Sequence, residues 1–590
     1  MQNAETVLGV LRERGRRGLP CDQLYRQLFN PHLYLLAYGR LYSNQGAMTP
    51  GADGETADGM SMAKIGRVID ALRHERYRFR PVKRVYIPKK NGKLRPLGLP
   101  SWTDKLVSEV VRLLLEAYYE PRFSDRSHGF RPGKGCHTAL NDVAYGWTGT
   151  TWFIESDIAQ CFDRLDHTVM LKTLGENIHD NRFLRLLRNM LQAGYLEDWE
   201  WNATLSGAPQ GGVASPILSN IYLDQLDKFV ETVLIPRYTR GTRRKPNPAY
   251  EEIGNAIKRA HRRGDRAAAR RLRKQRRSLP AGDPQDPDYR RLRYARYADD
   301  QLFGFTGPKA EAEQIRADLR AFLHDNLKLE LSQEKTLITH ARTGAARFLG
   351  YEITVQHADH RRAVNGSVAL RVPMDVIKAK CAPYLKLGKP ETRSRLVNED
   401  DHTIVETFAA EYRGLVNYYL LAGDVFRLNR VHWVMQTSLL KTLACKYHST
   451  VTKMAARYQA TIETPYGLRK CLRVIVERTG RKPLTATFGG IPLKRQRKAV
   501  LVDRKPPPGI IIRRTELIER LRAGRCELCQ RTGEVEVHHV GKLAHLGKPG
   551  RPRPPWAELM ARRRRKTLVA CAACHGSIHD RRPTAIPNTE

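Results

Sequence analysis

Residues 293–307 read RYARYADDQLFGFTG, with two adjacent acidic residues inside a largely apolar and aromatic stretch. The pattern on either side predicts two antiparallel strands joined by a tight turn. Adjacent aspartates in a turn are often only turn formers. Asp299 and Asp300 nevertheless lie between apolar strands, which makes them candidates for a metal site at the edge of a core.

A second acid ends another predicted strand. Residues 150–157 read TTWFIESD, which is rich in β-branched and aromatic residues and ends at Asp157. Nucleotidyl transfer needs two divalent metal ions, and Mg²⁺ prefers carboxylate and phosphate oxygens as ligands. Acids at strand ends and turns therefore stand out in a chain that is otherwise strongly basic.

The surrounding motifs resemble those of reverse transcriptases and occur in the same order as in that family. Tyr297-Ala298-Asp299-Asp300 resembles the family's YxDD signature, and the other matching stretches lie before and after it. These are YIPKKNGKLRPLGLPSWTDKLVSEVV (86–111), HGFRPGKGCHTAL (128–140), SDIAQCFDRLDH (156–167), GAPQGGVASPILSNIYLDQLD (207–227), LELSQEKT (329–336) and RFLGYEI (347–353). The resemblance is strongest to group II intron-encoded proteins, because NQGAMTPGADGETADGMS (44–61) and EYRGLVNYY (411–419) resemble that subfamily's N-terminal extension and thumb.

This resemblance implies a multidomain α+β chain, with a right-hand polymerase of fingers and palm, a helical thumb and a small ββα-metal HNH zinc domain. The predicted boundaries follow the changes in sequence pattern. They are 1–80 for the N-terminal extension and start of the fingers, 81–364 for fingers and palm with a basic insertion at 237–296, 365–470 for the thumb or maturase domain X, 471–510 for a DNA-binding region and linker, and 511–590 for the HNH domain.

Roles for individual polymerase residues also follow from the resemblance. Asp157, Asp299 and Asp300 are expected to hold two Mg²⁺ ions. Phe162 is expected to lie under the incoming sugar and exclude a 2′-hydroxyl. Charge-assisted contacts from Lys89 and Arg95 are expected to grip the triphosphate of the incoming deoxynucleotide. Gln210, between Pro209 and Gly211, is expected to line the nucleotide and primer–template site.

The charge of the chain points to nucleic-acid partners. The 590 residues include 102 Lys and Arg against 61 Asp and Glu, a net charge of +41. Such an excess favours a polyanion as partner. The insertion 237–296 alone carries 20 basic and 6 acidic residues, and part of it is predicted to be a basic helix. It either binds nucleic acid or is only a solvated charged helix.

The C-terminal tail combines a predicted zinc site with clustered histidines. Two CxxC pairs, Cys526/Cys529 and Cys571/Cys574, have the spacing of a tetrahedral structural Zn²⁺ site. His538-His539 lies between the pairs. His575 and His579 are four residues apart and so share one helical face.

This arrangement resembles HNH nucleases. The resemblance implies that His539 is the general base and that His538, His575 and His579 hold one divalent metal ion, expected to be Mg²⁺. The family's usual central Asn is not evident, and His575 is expected to take its place. The alternative is a zinc finger that binds nucleic acid without cutting it.

The sequence therefore predicts an RNA-directed DNA polymerase that assists splicing of its intron RNA and nicks target DNA, so that the nick primes reverse transcription. Two alternatives stay open: a splicing factor with vestigial enzymes, and a bacterial defence reverse transcriptase unrelated to introns. The N-terminus lacks the apolar segment of a secretion signal, and no apolar run is long enough to cross a membrane. We expect a location in the bacterial cytosol or nucleoid, or in an organelle.

Overall fold

The structure is a computed structural model. It describes residues 3–88, 92, 94–197, 200–202, 207, 212–284, 286–357, 365–478, 481–498, 501–502, 515–541, 543, 546 and 553–584. Helices and strands alternate irregularly along the chain, so the predicted α+β class is confirmed.

The strands are β1 (Met60–Ser61), β2 (Val82–Pro88), β3 (Leu94–Leu99), β4 (Trp152–Asp157), β5 (Tyr195–Glu197), β6 (Glu200–Asn202), β7 (Arg291–Tyr297), β8 (Asp300–Thr306), β9 (Leu337–His340), β10 (Ala346–Phe348), β11 (Tyr351–Val355), β12 (Val368–Arg371), β13 (Leu385–Lys386), β14 (Lys389–Pro390), β15 (Gln459–Thr464), β16 (Gly467–Arg478), β17 (Arg481–Gly489), β18 (Val535–His539) and β19 (Thr567–Cys571).

The helices are α1 (Ala4–Arg16), α2 (Leu24–Gln27), α3 (Pro31–Leu41), α4 (Met62–Arg73), α5 (Trp102–Tyr119), α6 (Cys136–Gly146), α7 (His167–Gly175), α8 (Asn181–Leu191), α9 (Ser215–Phe229), α10 (Ile235–Arg237), α11 (Pro248–Arg262), α12 (Arg266–Ser278), α13 (Lys309–Leu327), α14 (Met374–Cys381), α15 (Asp401–Tyr419), α16 (Asn429–Lys446), α17 (Val451–Tyr458), α18 (Thr515–Arg522), α19 (Pro555–Arg563) and α20 (Ala572–His579).

A four-stranded sheet of order β7-β8-β4-β9 forms the centre of the polymerase region. Strands β7 and β8 are the predicted hairpin, and β4 is the predicted strand that ends in an acid. Six consecutive residues of β8, from Gln301 to Thr306, are buried, because both faces of the sheet are covered. A strand buried on both faces loses the apolar and polar alternation of a surface strand, as the sequence LFGF indicates.

The predicted fingers hairpin forms a second sheet of order β3-β2-β5-β6. Strands β2 and β3 are antiparallel, and Lys83 pairs with Leu99. Ser101 caps the next helix, α5, by accepting a hydrogen bond from the backbone N–H of Asp104. Most side chains of α5 are buried, so this helix fixes the sheet to the main core.

The basic segment forms a helical hairpin, α11 and α12, outside the palm sheet. Within α12 only Ala269 is buried, so the other side chains of that helix are at least partly accessible. The two ends of the hairpin meet, because the backbone N–H of Asn247 donates to the carbonyl of Ala281 at 3.0 Å. Strand β7 begins within the predicted insertion 237–296 but belongs to the palm sheet. The segment that protrudes from the palm therefore contains fewer residues than the predicted insertion.

The region from 365 onward is helical only in part. Helices α14 to α17 share one hydrophobic core with palm residues such as Phe153, Ala295 and Leu302. An antiparallel sheet of β15, β16 and β17 follows, and it packs against α15. Strand β16 crosses residue 471, so the predicted boundary between 365–470 and 471–510 cuts through a hairpin.

The C-terminal module is built on the hairpin of β18 and β19, followed by α20. Its sheet has a third strand, β1, from the N-terminal region: Met60 pairs with Val537 and Ser61 with Glu536. Helix α18 packs on α3. The contact is close at Gly39, where a Cβ atom would lie only 3.1 Å from Cδ1 of Ile518. The module therefore docks on the N-terminal region through both a sheet and a helix.

Candidate active sites

The palm sheet brings the three predicted acidic residues together. Asp157, the last residue of β4, is the register partner of Asp300, the first residue of β8. Asp299 lies in the two-residue turn between β7 and β8. Ala298 begins that turn with a φ of 55°, a left-handed conformation that is uncommon for a residue with a side chain.

The electrostatics of this acidic cluster favour a bound cation. Burial and the neighbouring carboxylates of Asp299 and Asp157 raise the pKa of Asp300 to about 7. Burial also raises the pKa of Asp299, and Asp157 adds to that shift. Carboxylates that share one site cannot all ionise easily without a counter-charge. The Nζ of Lys335 lies 2.8 Å from Asp157 Oδ2 and supplies part of that charge.

A buried ion pair stabilises the turn that carries Asp299. The guanidinium of Arg296 forms two hydrogen bonds to Asp227 on α9, and both side chains are fully buried. A third bond runs from Arg296 Nη1 to the carbonyl oxygen of Ala298 at 2.9 Å. Tyr294 donates to Asp227 Oδ1 at 2.8 Å. Helix α9 therefore fixes the conformation of the turn that carries Asp299.

Replacing Arg296 with methionine is expected to lower the free energy of unfolding by about 3–5 kcal/mol, because Asp227 would remain buried without its partner. DNA synthesis should fall as well, since the carbonyl of Ala298 loses its donor. Denaturant unfolding and primer extension measure the two effects. Arg293→Met is the matched control, because the buried Nη1 of Arg293 on the same strand has no hydrogen-bond partner among the described residues. Equal stability of the two variants would contradict the role of the ion pair.

The structure locates two of the four predicted substrate-binding residues. Phe162 is half-buried, and its ring centroid lies 6.3 Å from that of Phe130, which in turn lies 6.4 Å from the ring of Tyr297, the last residue of β7. Arg95 is exposed on β3, and its charge helps to lower the pKa of Asp299 against the larger effect of burial. Lys89 and Gln210 lie outside the described residues.

The four predicted zinc ligands converge in the C-terminal module. One sulfur from each of Cys526, Cys529, Cys571 and Cys574 lies within 4.8 Å of the others. The backbone N–H of Cys529 points at Cys526 Sγ at 3.5 Å, and Gln530 closes the turn with a φ of 63°. Burial raises the pKa of the Cys574 thiol, and the neighbouring thiols raise it further. A divalent metal ion relieves this cost because it binds thiolates.

A second cluster brings together the predicted nuclease ligands and one acid that the sequence did not suggest. His538, His575 and His579 lie with Asp58 in a set whose ligand atoms are within 4.8 Å of one another. Neither ring nitrogen of the buried His538 has a hydrogen-bond partner among the described residues. Glu536 Oε2 lies 2.8 Å from His575 Nδ1 and orients that ring. Three imidazoles and a carboxylate gathered this closely fit a metal site.

The predicted general base, His539, is buried under the N-terminal region. Its Nε2 lies 2.7 Å from the hydroxyl of Tyr38, and Tyr42 also contacts the ring. Burial lowers the pKa of His539 to about 4. The imidazole is therefore neutral at pH 7, which is the form that accepts a proton.

Comparisons with known proteins identify the family and three of its domains. Three family models match: reverse transcriptase (RNA-dependent DNA polymerase) over residues 87–244, type II intron maturase over 365–470, and AI2M/AI1M-like HNH endonuclease over 526–575. The group II intron-encoded protein LtrA of Lactococcus lactis subsp. cremoris is 38% identical, across 94% of this chain and 95% of that protein.

The chain belongs to the group II intron-encoded proteins. It is also 32% identical to a putative COX1/OXI3 intron 1 protein of Saccharomyces cerevisiae, over 93% of this chain and 68% of that protein. A telomerase chain from Candida albicans aligns at 14% identity and a TM-score of 0.35, covering 64% of this chain and 58% of that chain, which is too weak to support an argument.

This group II intron-encoded protein is an RNA-directed DNA polymerase, a maturase and a DNA endonuclease, as the sequence predicts. The alternatives of an intron-independent defence enzyme and of a splicing factor without enzymes are thereby set aside. These domains bind RNA and DNA and belong to families that use metal ions. Among the described residues, no helix combines the length and the apolar composition needed to span a membrane.

Sequence reasoning missed four residues of these sites. Lys335 stands in the quoted motif LELSQEKT, but nothing in the motif indicated its contact with Asp157. The Arg296 side chain adjoins the YADD motif, although its partner Asp227 lies on another helix. Asp58 and Tyr38 are about 480 and 500 positions from the histidines that they contact, and no local pattern reports such contacts.

Proposed function

We propose that Asp157, Asp299 and Asp300 are the metal ligands of the polymerase. The register of Asp157 with Asp300, beside the Asp299 turn, carries this proposal. Two Mg²⁺ ions held there would supply activation of the primer hydroxyl and stabilisation of the leaving pyrophosphate. Lys335 balances the charge of Asp157. Arg296 stabilises the turn through its hydrogen bond to the carbonyl oxygen of Ala298. Primer extension on an RNA template by an Asp299→Ala chain tests the assignment.

We propose that the exposed hairpin of β2 and β3 binds the triphosphate of the incoming deoxynucleotide. The position of Arg95 supports this, since its charge is close enough to Asp299 to act against the rise in the pKa of that carboxyl. Lys89 and Gln210 are included in the proposed nucleotide site only because they match the family motifs. Phe162 selects the sugar, because a bulky ring beneath it clashes with a 2′-hydroxyl.

Phe162→Ala is expected to let the polymerase incorporate ribonucleotides, because removing the ring removes the clash. The ratio of ribonucleotide to deoxyribonucleotide incorporation in primer extension measures the change. Phe130→Ala deletes the adjacent ring and serves as the control, which should keep the wild-type ratio. An unchanged ratio in the Phe162 variant would mean that another residue selects the sugar.

We propose that Cys526, Cys529, Cys571 and Cys574 bind one structural Zn²⁺. Their convergence supports it, and four thiolates leave no open position for catalysis. The module is small, and much of its stability would come from metal binding. The proposed zinc site is thus separate from the histidine cluster that serves the nuclease.

The nuclease site is proposed to consist of His538, His575 and His579 as metal ligands and His539 as general base. A divalent ion held there would polarise the scissile phosphate. His539, neutral at pH 7, takes the proton of the attacking water, and Glu536 keeps the His575 ring in place. No Asn is needed in this scheme, because His575 takes that position in the ligand set.

We propose that these activities act in sequence during intron mobility. The thumb region, 365–470, and the N-terminal region, 1–80, bind the intron RNA and support its splicing. The nuclease in 511–590 nicks one strand of target DNA, and the palm in 81–364 extends the new 3′ end on the intron RNA. The protein acts where intron RNA and target DNA meet, in a bacterial cytosol or nucleoid or in an organelle.

The helical hairpin of α11 and α12 is proposed to bind nucleic-acid phosphates. Residues 248–278 contain eleven Lys and Arg against three acidic residues. Replacing them with a short Gly/Ser link is feasible because Asn247 and Ala281 are already adjacent. Such a deletion should weaken RNA binding and reduce the slope of log affinity against log salt by about 0.7–0.9 per lost phosphate contact. An unchanged slope would make the hairpin a passive insertion.

A further inference from the structure

The segment that ends at Ser61 joins the nuclease sheet directly. Strand β1 pairs with β18, and the backbone N–H of Gly59 donates to the carbonyl of Val537 at 3.0 Å. This pairing fixes the position of Asp58, which immediately precedes Gly59. Asp58 is therefore held beside the histidines by main-chain bonds and not by a flexible side chain alone.

The carboxylate of Asp58 faces the three proposed metal ligands. Its Oδ2 lies 2.7 Å from His579 Nε2 and 3.3 Å from His575 Nε2, and its Oδ1 lies 3.3 Å from His538 Nδ1. Oδ1 also accepts a hydrogen bond from the backbone N–H of His539 at 2.6 Å. The Asp58 side chain is only 15% exposed. The ligand atoms of the cluster thus lie within 4.8 Å of one another.

The number and type of these four ligands indicate how they would bind a metal ion. Three imidazoles and one carboxylate make a complete tetrahedral shell for an ion such as zinc. A catalytic metal ion keeps one position for water or substrate, and Asp58 would take that position in an ion held by the three histidines. At the same time the hydroxyl of Tyr38 lies 2.7 Å from His539 Nε2, so this nitrogen of the proposed base is already engaged.

We propose that Asp58 supplies a fourth ligand to the nuclease metal ion and that this bond holds the nuclease closed against the N-terminal region. The inference rests on the proposed ligand role of His538, His575 and His579. Docking of α18 on α3 supports the same closed arrangement, because Leu517, Ile518 and Leu521 share one buried core with the N-terminal helices. Cleavage requires Asp58 to withdraw, which leaves the fourth position to the phosphate and frees His539 from Tyr38.

A cobalt titration tests the ligand role without any measurement of activity. The full chain carries zinc in its cysteine site and the substitution Asp299→Ala, which removes one of the three competing carboxylates from the palm. Visible absorption then reports Co²⁺ binding to the histidine site. Asp58→Asn should lower the Co²⁺ affinity at least about tenfold, since even residues that only orient metal ligands contribute 10–100-fold.

The control is Asp53→Asn, which alters an acid of the same segment that pairs with Arg80 instead of the histidines. It should bind Co²⁺ as the parent chain does. Equal Co²⁺ affinity for Asp58→Asn and the parent would overturn the proposal and reduce Asp58 to an ordinary ion-pair partner.

Nicking of a labelled target duplex at saturating metal tests the closed state. Asp58→Asn, in an otherwise wild-type chain, should nick at least as fast as wild type, whereas His575→Ala should lose activity. Nicking by Asp58→Asn that falls to the His575→Ala level would overturn the closure. If no chain nicks, wild type included, the nuclease assignment itself fails, and the cobalt titration still decides whether Asp58 is a ligand.

Discussion

Asp299→Ala is expected to abolish DNA synthesis, with a loss of at least about a thousandfold in primer extension on an RNA template. Metal ions contribute several kcal/mol to such reactions, and each 1.4 kcal/mol is worth about tenfold in rate. Asp157 and Asp300 lie on β4 and β8 and cannot replace the carboxylate that Asp299 contributes from the turn. Asp300→Ala is expected to behave in the same way.

The same variant should still support splicing of the intron RNA. Splicing chemistry belongs to the RNA, and the protein contributes a bound scaffold whose surface the substitution does not touch. Asp163→Asn is the matched control, since it changes an acid close to Asp157 in sequence that has no proposed metal role; it should retain both activities. Loss of splicing by Asp299→Ala at unchanged protein stability would contradict the separation of the two functions.

His539→Ala is expected to reduce nicking of target DNA by about 10²–10⁴, the usual contribution of a general base. Primer extension should be unaffected, because the polymerase site lies in another sheet. Zinc content should also stay unchanged, since the cysteine site does not involve this residue. Nicking of a labelled duplex and metal analysis of the purified chain measure these outcomes.

Two further variants separate catalysis from structure. Tyr38→Phe removes the hydrogen bond to His539 but leaves the imidazole, so it should retain nicking. Cys571→Ser should instead lose zinc, unfold the C-terminal module and lose nicking with it. Equal nicking by wild type and His539→Ala would contradict the role of His539 as general base. Zinc loss from His539→Ala would mean that the two metal sites are not separate.

The local sequence pattern was enough to predict the strands at the centre of the polymerase region. The hairpin of β7 and β8 and the end of β4 are each contained in a short stretch whose apolar residues and turn signals are visible directly. The sheet then brings Asp157 opposite Asp300, as the family resemblance implies. Asp166, immediately before α7, is an acid of the type that caps helices, and its side chain accepts a hydrogen bond from the backbone N–H of Val169 at 2.8 Å.

Longer-range features were not predictable in the same way. The contact of Asp58 with His579 depends on how two distant segments pair, and nothing near either residue indicates the other. The sheet of β15 to β17 is a different case. Residues 459–489 contain alternating and β-branched stretches such as TIET and LRVIVE, and this signal for strands was present but outweighed by the helical pattern before it.

The most direct test of the whole account follows nicking and extension together on one labelled target duplex. The chain is supplied as a complex with its intron RNA, together with deoxynucleotides and Mg²⁺. Wild type should give a nick and then an extended strand, Asp299→Ala a nick without extension, and His539→Ala neither product on intact duplex but normal extension from a duplex nicked beforehand. Extension of the intact duplex by His539→Ala, or extension by Asp299→Ala, would contradict the account.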